Sequence, residues 1–374
     1  MRGKGLIVGM DLSIEGSGIV NSCLERGLLI NCTSGHVLRF VPPLDNLRER
    51  DKRSCGSSRR FASKRGEWTM NKDLLSFSDL DDQDFERIFT RSFLLKKMLL
   101  EGTPYHPLKG KTLGMVFYKS STRTRLSFEV GMYQLGGIAI FLSSRDIQAG
   151  RGETIADTAQ IMSRYLDGVM IRTFDQASVE EFARHASVPV INGLTDLLHP
   201  CQILSDLFTI IEKKGRYEGM KIAYIGDGNN IANSWIEAAA RLPIELALAC
   251  PEGYEPNRAI LESGKKMAGE RIHLCRVPAD AVNGADVVYT DVWTSMGQER
   301  EREKRLEALR DYQINSELLK AAKSDAVVMH CLPAHRGEEI TADVIDGSQS
   351  IVIDQAENRL HVQKAIMEML MGGG

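Results

Sequence analysis

The sequence predicts an α/β protein built from two doubly wound parallel-sheet domains with the active site between them. Three observations predict it. Short apolar runs alternate with helix-like stretches from about residue 76 onward. The alternation comes in two series, separated by a long helical stretch around 200–214. Nearly every unusual polar cluster falls just after one of the apolar runs. Strand–helix alternation produces parallel sheets with crossover helices. Open sheets of that kind bind ligands at the carboxyl ends of their strands. A chain of 374 residues suffices for two cores.

Taken in order, Ser78 is expected to cap the first helix, with Asp79, Asp81 and Asp82 at its positive start. Phe85, Ile88, Phe89, Phe93, Leu94 and Leu95 then recur near helical spacing, and Gly102 is placed to end the element. Strands are expected at 113–118, 138–142, 168–172 and 188–191, with helices at 153–166 and 178–186 among them. After the helix around 200–214, strands are expected at 221–225, 244–249, 272–275, 286–290, 326–330 and 350–353.

The polar clusters follow these strands. Ser120-Ser121-Thr122-Arg123-Thr124-Arg125 comes after 113–118 and opens a helix, where backbone N–H groups attract an anion. Hydroxyls and guanidinium groups add donors there, and no Walker-type Gly-rich loop is present. Arg172-Thr173-Phe174 follows 168–171, and His199-Pro200-Cys201-Gln202 opens the long helix. In the second series the clusters are Gly226 to Asn230, Asp291 to Gln298, and His330-Cys331-Leu332-Pro333.

Bulk properties narrow the class. With 43% hydrophobic and 26% charged residues the composition is that of an ordinary globular protein. No apolar run approaches the roughly 18 residues of a membrane span, and the first residues lack a secretory h-region. Seven cysteines are scattered without paired spacing, which favours a reduced, cytoplasmic protein without a zinc site. The net charge of −3 is uneven: residues 1–69 carry +5 and the rest −8. An acidic body argues against nucleic acid as a partner.

From about residue 71 to the C-terminus the chain resembles the ornithine carbamoyltransferase family. The resemblance rests on Phe117 to Glu129, His199 to Gln202, Asp291 to Gln298 and His330 to Glu339. The Ser-Thr-Arg-Thr-Arg stretch is shared with aspartate carbamoyltransferases and speaks for carbamoyl phosphate. Ser295-Met296-Gly297 and His330-Cys331-Leu332-Pro333 speak for ornithine. The implied reaction moves a carbamoyl group from carbamoyl phosphate to the δ-amine of ornithine, giving citrulline and phosphate, in arginine synthesis. It needs no metal and no cofactor.

The resemblance also implies roles. Ser121, Thr122, Arg123 and Thr124 would hold the phosphate, together with Gln148 from a loop that reaches a neighbouring subunit's site. Arg125 is read either as part of this set or as an ion-pair partner of Glu129 one turn on. Arg172 and His199 would clamp the carbonyl oxygen, and Gln202 would bond the carbamoyl amide. A primary amine with pKa near ~10.4 is neutral in only roughly one molecule in a few thousand at pH 7. Asp291 and Cys331 are the residues implied to take its proton. Asn230, Asp291, Ser295 and Met296 would meet the α-amino acid end of ornithine. Leu332-Pro333 is expected to be cis, aiming the carbonyls of Cys331 and Leu332, and Arg359 to return to the carbamoyl phosphate site. The implied assembly is a homotrimer or a multiple of one. Putrescine or an acylated ornithine as acceptor, and a non-catalytic metabolite-binding paralogue, are the competing readings.

Gly226-Asp227-Gly228 invites a dinucleotide reading, but Ile231 stands where a third glycine belongs and no acid ends strand 244–249. The expected division of the chain is 1–44, 45–69, 70–204, 205–350 and 351–374. Residues 1–44 resemble the end of an acetylornithine aminotransferase, through Arg2 to Leu6, Gly27 to Thr33 and Val37 to Leu44, without that family's cofactor lysine. Residues 45–69 are basic, poor in apolar side chains, and expected to be a disordered join. Met70 is expected to be the native start, with the preceding text a translated intergenic region; a genuine fusion is the other reading.

Overall fold

The computed structural model describes residues 2–4, 7–11, 19–20, 31–33, 36–40, 72–143, 152–294 and 301–372. Residues 1–68 form one compact unit and 69–374 a second. The first unit holds an antiparallel sheet of β1 (Arg2–Lys4), β2 (Ile7–Asp11), β3 (Asn31–Thr33) and β4 (Val37–Phe40), in the order β1-β2-β4-β3. The expected join at 45–69 lies outside the described residues.

The second unit opens with a 3₁₀ turn, Phe77–Asp79, and helix α1, Asp82–Leu100. Ser78 is not the cap of this helix. Ser76 caps the 3₁₀ turn and Asp81 caps α1 in a reciprocal arrangement with Asp84. The acids crowd the start because two caps follow in quick succession.

A first parallel sheet comprises β5 (Thr112–Phe117), β6 (Ile138–Ser143), β7 (Gly168–Arg172) and β8 (Val190–Leu194), in the order β6-β5-β7-β8. Helices α2 (Thr122–Gln134), α3 (Ile155–Tyr165) and α4 (Gln176–His185) connect its strands. Helix α5, Pro200–Lys214, buries every residue from Pro200 to Ile210. It runs unbroken across the expected boundary at 204/205, so that boundary corresponds to no break in the chain. The second sheet comprises β9 (Lys221–Ile225), β10 (Glu245–Ala249), β11 (Ile272–Cys275), β12 (Val287–Thr290) and β13 (Val327–His330), in the order β11-β10-β9-β12-β13, all parallel. Its crossovers include α6 (Asn230–Arg241) and α7 (Arg258–Ala268). Helix α8, Arg302–Leu309, follows β12.

Residues 350–353 are not a strand. Ser350 makes a single bridge to Val328, and from Val352 the chain is helix α9, Val352–Met371. Val352, Gln355, Arg359 and Val362 recur on its buried side at helical spacing, and that packing overrides a short β-branched run. Helix α9 lies against α5, α1 and α2. Tyr224 and Tyr289 of the second sheet and Trp235 of α6 are all fully buried. The Tyr289 ring lies 6.0 Å from that of Tyr224 and 5.8 Å from that of Trp235. Among the described residues no helix is long and apolar enough to cross a membrane.

Candidate active site

Strand order reverses at β5/β7 in the first sheet and at β9/β12 in the second. Loops diverge at such points and leave a crevice at the carboxyl ends of the strands. The loops after β5, β7, β9, β12 and β13 line one cleft of about 830 Å³. It includes Ser121, Thr122, Arg123, Arg172, His199, Gln202, Asn230, Asp291, Cys331, Leu332 and Arg359, all expected from the sequence.

One wall is cationic. Ser121 caps α2, its Oγ accepting from Thr124 N at 3.3 Å, so the positive helix start faces the cleft. Phe117 pairs with Arg172 across β5 and β7, which brings the side chain of Arg172 beside that start. Burial, then the neighbouring Arg359, lower the Arg172 guanidinium to about 10, so it remains charged at neutral pH. Arg359 reaches the wall from α9 and is itself lowered by burial. His199 occupies the cap position of α5 with Pro200 next, yet its ring makes no capping bond. Its backbone N–H donates instead to Ser234 Oγ at 2.7 Å. Burial, then Arg359 and Arg172, hold the imidazole well below its usual range and therefore neutral. Arg172 Nε, His199 Nδ1, Gln202 Oε1 and Arg359 Nε are buried with no protein partner among the described residues. Buried polar groups are seldom left so, and four beside one cleft imply a polar occupant.

Thr124 differs from expectation on this side, and Arg125 takes the ion-pair reading. Thr124 is fully buried and does not line the cleft; its Oγ1 accepts from Arg359 at 3.0 Å. It sits one helical position past the cleft-facing Arg123 and turns inward. Arg125 pairs with Glu129 at 3.1 Å and stacks over Phe141 at 4.1 Å.

The opposite wall carries a carboxylate and a thiol. Thr290 is in register with His330 across β12 and β13, so the residues that follow, Asp291 and Cys331, emerge side by side. Cys331 Sγ donates to Asp291 Oδ1 at 2.9 Å, and Val292 N donates to the same oxygen at 2.8 Å. Asn229 Nδ2 donates to Oδ2 at 2.7 Å. Burial and then the Asp291 carboxylate push the Cys331 thiol well above its usual range. Cys331 therefore stands as a donor to Asp291, not as a base. The Leu332–Pro333 bond is cis, as expected, and Leu332 has φ 58°. His330 Nδ1 accepts from Leu332 N at 2.9 Å, so its proton is on Nε2, which donates to Glu339 Oε1 at 3.0 Å.

Sequence reasoning missed Asn229. The adjacent Asn230, expected from the sequence, also lines the cleft, with its Nδ2 donating to Thr195 O at 2.7 Å. Asn229 is the cap of α6, with Oδ1 on Ile231 N at 2.9 Å, and its second amide atom is thereby aimed at Asp291. A cap signal before an apolar stretch was the available clue. Asp227 and Arg305 form a further buried ion pair lining the cleft. Gly228 is explained by packing, because a Cβ there would lie 2.1 Å from Pro256 N. Gln148, Ser295 and Met296 lie outside the described residues. Asp291, His330 and Cys331 bring ligand-type atoms within 4.8 Å of one another. Both ring nitrogens of His330 are already engaged.

Residues 72–212 match the family model for the aspartate/ornithine carbamoyltransferase carbamoyl-P binding domain, and 218–370 that for the Asp/Orn binding domain. The ornithine carbamoyltransferase of Syntrophus aciditrophicus is 69% identical over 302 residues, which are 81% of this chain and 100% of that protein. The chain belongs to the ornithine carbamoyltransferase family. The family member from Geobacter metallireducens is 56% identical over 81% of this chain and all of its own length. The solved structure of ornithine carbamoyltransferase from Pyrococcus furiosus superposes with a TM-score of 0.78 at 50% identity, covering 81% of this chain and 97% of that one. The two family models meet between 212 and 218, at the end of α5, eight residues or more beyond the boundary expected from the sequence.

Proposed function

We propose that this chain transfers the carbamoyl group of carbamoyl phosphate to the δ-amine of L-ornithine, giving L-citrulline and phosphate, for arginine synthesis. The observation that carries the reading is the facing of two walls: buried, unpartnered donors of Arg172, Arg359 and His199 on one side, and the Asp291–Cys331 pair on the other. The start of α2, with Ser121, Thr122 and Arg123, binds the phosphate, and Thr124 acts through Arg359. Arg172 and the neutral His199 stabilise the carbonyl oxygen as it becomes an oxyanion. Gln202 Oε1 accepts from the carbamoyl amide.

Asp291 has three of its roughly four lone-pair sites filled by Val292, Cys331 and Asn229, which leaves one for the δ-ammonium or its departing proton. The amine nitrogen bonds to the carbonyl carbon, the carbon–oxygen bond to phosphate breaks, and a proton from the amine leaves with the phosphate. Ser295 and Met296 take the amino acid end of ornithine in this reading, and Gln148 contacts the phosphate of a neighbouring subunit. The working form is a homotrimer or a multiple of one in the cytoplasm. An exposed apolar face supports self-association: Leu126 and Tyr133 on α2 are 54% and 79% exposed, and Ile138 and Ile140 on β6 are 65% and 43% exposed.

Citrulline formation measured with ornithine, putrescine and N-acetylornithine side by side tests the reading. Ornithine is expected to be preferred, and equal or higher kcat/KM with either alternative would refute it. A kcat/KM for ornithine that stays flat from pH 6 to 9 would remove the Asp291 role.

A further inference from the structure

Below the cleft, Asp206 on α5 is fully buried and all of its hydrogen-bond partners are neutral donors. Gln202 Nε2 donates to its Oδ1 at 2.8 Å, and Gln355 Nε2, from α9, donates to the same oxygen at 2.8 Å. Tyr289 OH, from β12, donates to Oδ2 at 2.8 Å. Gln355 Nε2 also reaches Tyr289 OH at 3.1 Å, while its Oε1 accepts from His330 N at 2.9 Å.

These directions are forced by chemistry. Oδ1 accepts whether the acid is ionised or carries its proton on Oδ2, so the NH₂ end of each glutamine amide faces Asp206. The carbonyl end of Gln202 is thereby turned away, and it is buried without a protein partner beside the cleft. The carbonyl end of Gln355 is turned onto the backbone of His330, the residue before Cys331. One carboxylate thus sets an amide on the donor wall and braces the turn on the acceptor wall. Apolar packing alone would not keep an acid here, since burial penalises its charge and pushes it up to about 7.

We propose that Asp206 is a positioning residue that aims the Gln202 carbonyl oxygen at the carbamoyl amide and, through Gln355, keeps it in register with the His330–Cys331 turn. The proposal rests on the carbamoyl phosphate reading of the cleft. It is tested with a double-mutant cycle of Asp206→Leu and Gln202→Met in the full chain, reading kcat and KM for carbamoyl phosphate. Asp206→Leu alone is expected to lower kcat/KM by about tenfold, the worth of one well-placed hydrogen bond. In the Gln202→Met background the same change is expected to cost less than about twofold, because the group it positions is gone. Effects that multiply would overturn the proposal. Asp206→Asn, which keeps an acceptor oxygen, is expected to recover most of the loss; a loss as large as that of Leu would also overturn it. Should Asp206→Leu fail to fold, the cycle is run with Gln355→Leu, and additivity with Gln202→Met is again the refuting result. A wild-type protein that forms no citrulline would refute the reading of the cleft, whereas an active one with additive variants refutes only the role of Asp206.

Discussion

Asp291 gathers donors from three places: the backbone after β12, the thiol after β13 and the cap of α6. Removing its charge loosens all three contacts and, in the proposed mechanism, removes the acceptor for the amine proton. Asp291→Asn is expected to lower kcat/KM for ornithine by about a hundredfold or more, since charged hydrogen bonds contribute about 1.5–3 kcal/mol each. Steady-state kinetics with ornithine as the varied substrate checks this. Asn229→Ala, losing one of those bonds, is expected to cost about tenfold in the same assay. At Gly228 the expected effect is on stability. An added Cβ would press on the backbone of Glu255 and Pro256. Gly228→Ala is expected to cost about 1–3 kcal/mol in denaturant unfolding. At this scale the sequence is legible where a residue directly follows a strand, as with Arg172, Asp291 and Cys331. It is not legible where a helix decides which neighbour turns inward. Thr124 turns inward to Arg359 while Arg123 faces the cleft, and Asn229, next to Asn230, is the residue whose amide meets Asp291.

Helices carry the next level. Glu237 on α6 accepts from Phe77 N at 3.2 Å, and burial pushes its carboxyl up to about 7. The folded protein then holds that proton more tightly than the unfolded chain does. Its contribution is most favourable below about pH 4.5, declines as pH rises through the interval up to 7, and stays at its lowest above it. Glu237→Gln keeps an acceptor for Phe77 N and removes the titration. It is expected to raise stability at pH 8 and to flatten the change between pH 5 and 8, as read from urea midpoints at each pH. A wild-type pH dependence that persists unchanged in the variant would count against it. Helix α9 is the element the sequence conceals. Ile351-Val352-Ile353 has strand-like residues, and one bridge to β13 does form at Ser350. What extends the following chain as a helix is long-range: Arg91 and Tyr105 bond Glu368 at 2.5 and 2.6 Å, and Lys364 bonds Gln134 at 2.9 Å. No local window contains those partners. Strands β5 to β13, by contrast, lie close to where the periodicity puts them, because the inner strands of a parallel sheet are buried on both faces and read as continuous apolar runs.

For the whole molecule, the two sheets contribute unlike halves of one cleft, and both halves sit where strand order reverses. The strand–helix rhythm made that arrangement readable, whereas the continuity of α5 across the two halves was not readable from composition. The exposed side chains of α2 and β6 support the proposal that self-association uses the first sheet's outer side. Native mass spectrometry is expected to give three times the chain mass or a multiple of it. Tyr133→Asp combined with Ile138→Asp is expected to shift the population to single chains. Survival of the full assembly in that variant would move the contact elsewhere.

The side-by-side emergence of Asp291 and Cys331 from adjacent strands has a consequence for chemical durability. Alkylating reagents and peroxides attack the thiolate, and a sulfur that donates its hydrogen to a carboxylate is seldom a thiolate. Cys201, Cys250 and Cys275 are likewise pushed up by burial, Cys201 to about 12. An enzyme with a cysteine in its cleft would then behave toward iodoacetamide at pH 7.5 almost as though that cysteine were missing. Peptide mapping over time is expected to find Cys331 labelled far more slowly than free cysteine, and Asp291→Asn, which removes the charge that holds the proton, is expected to speed its labelling.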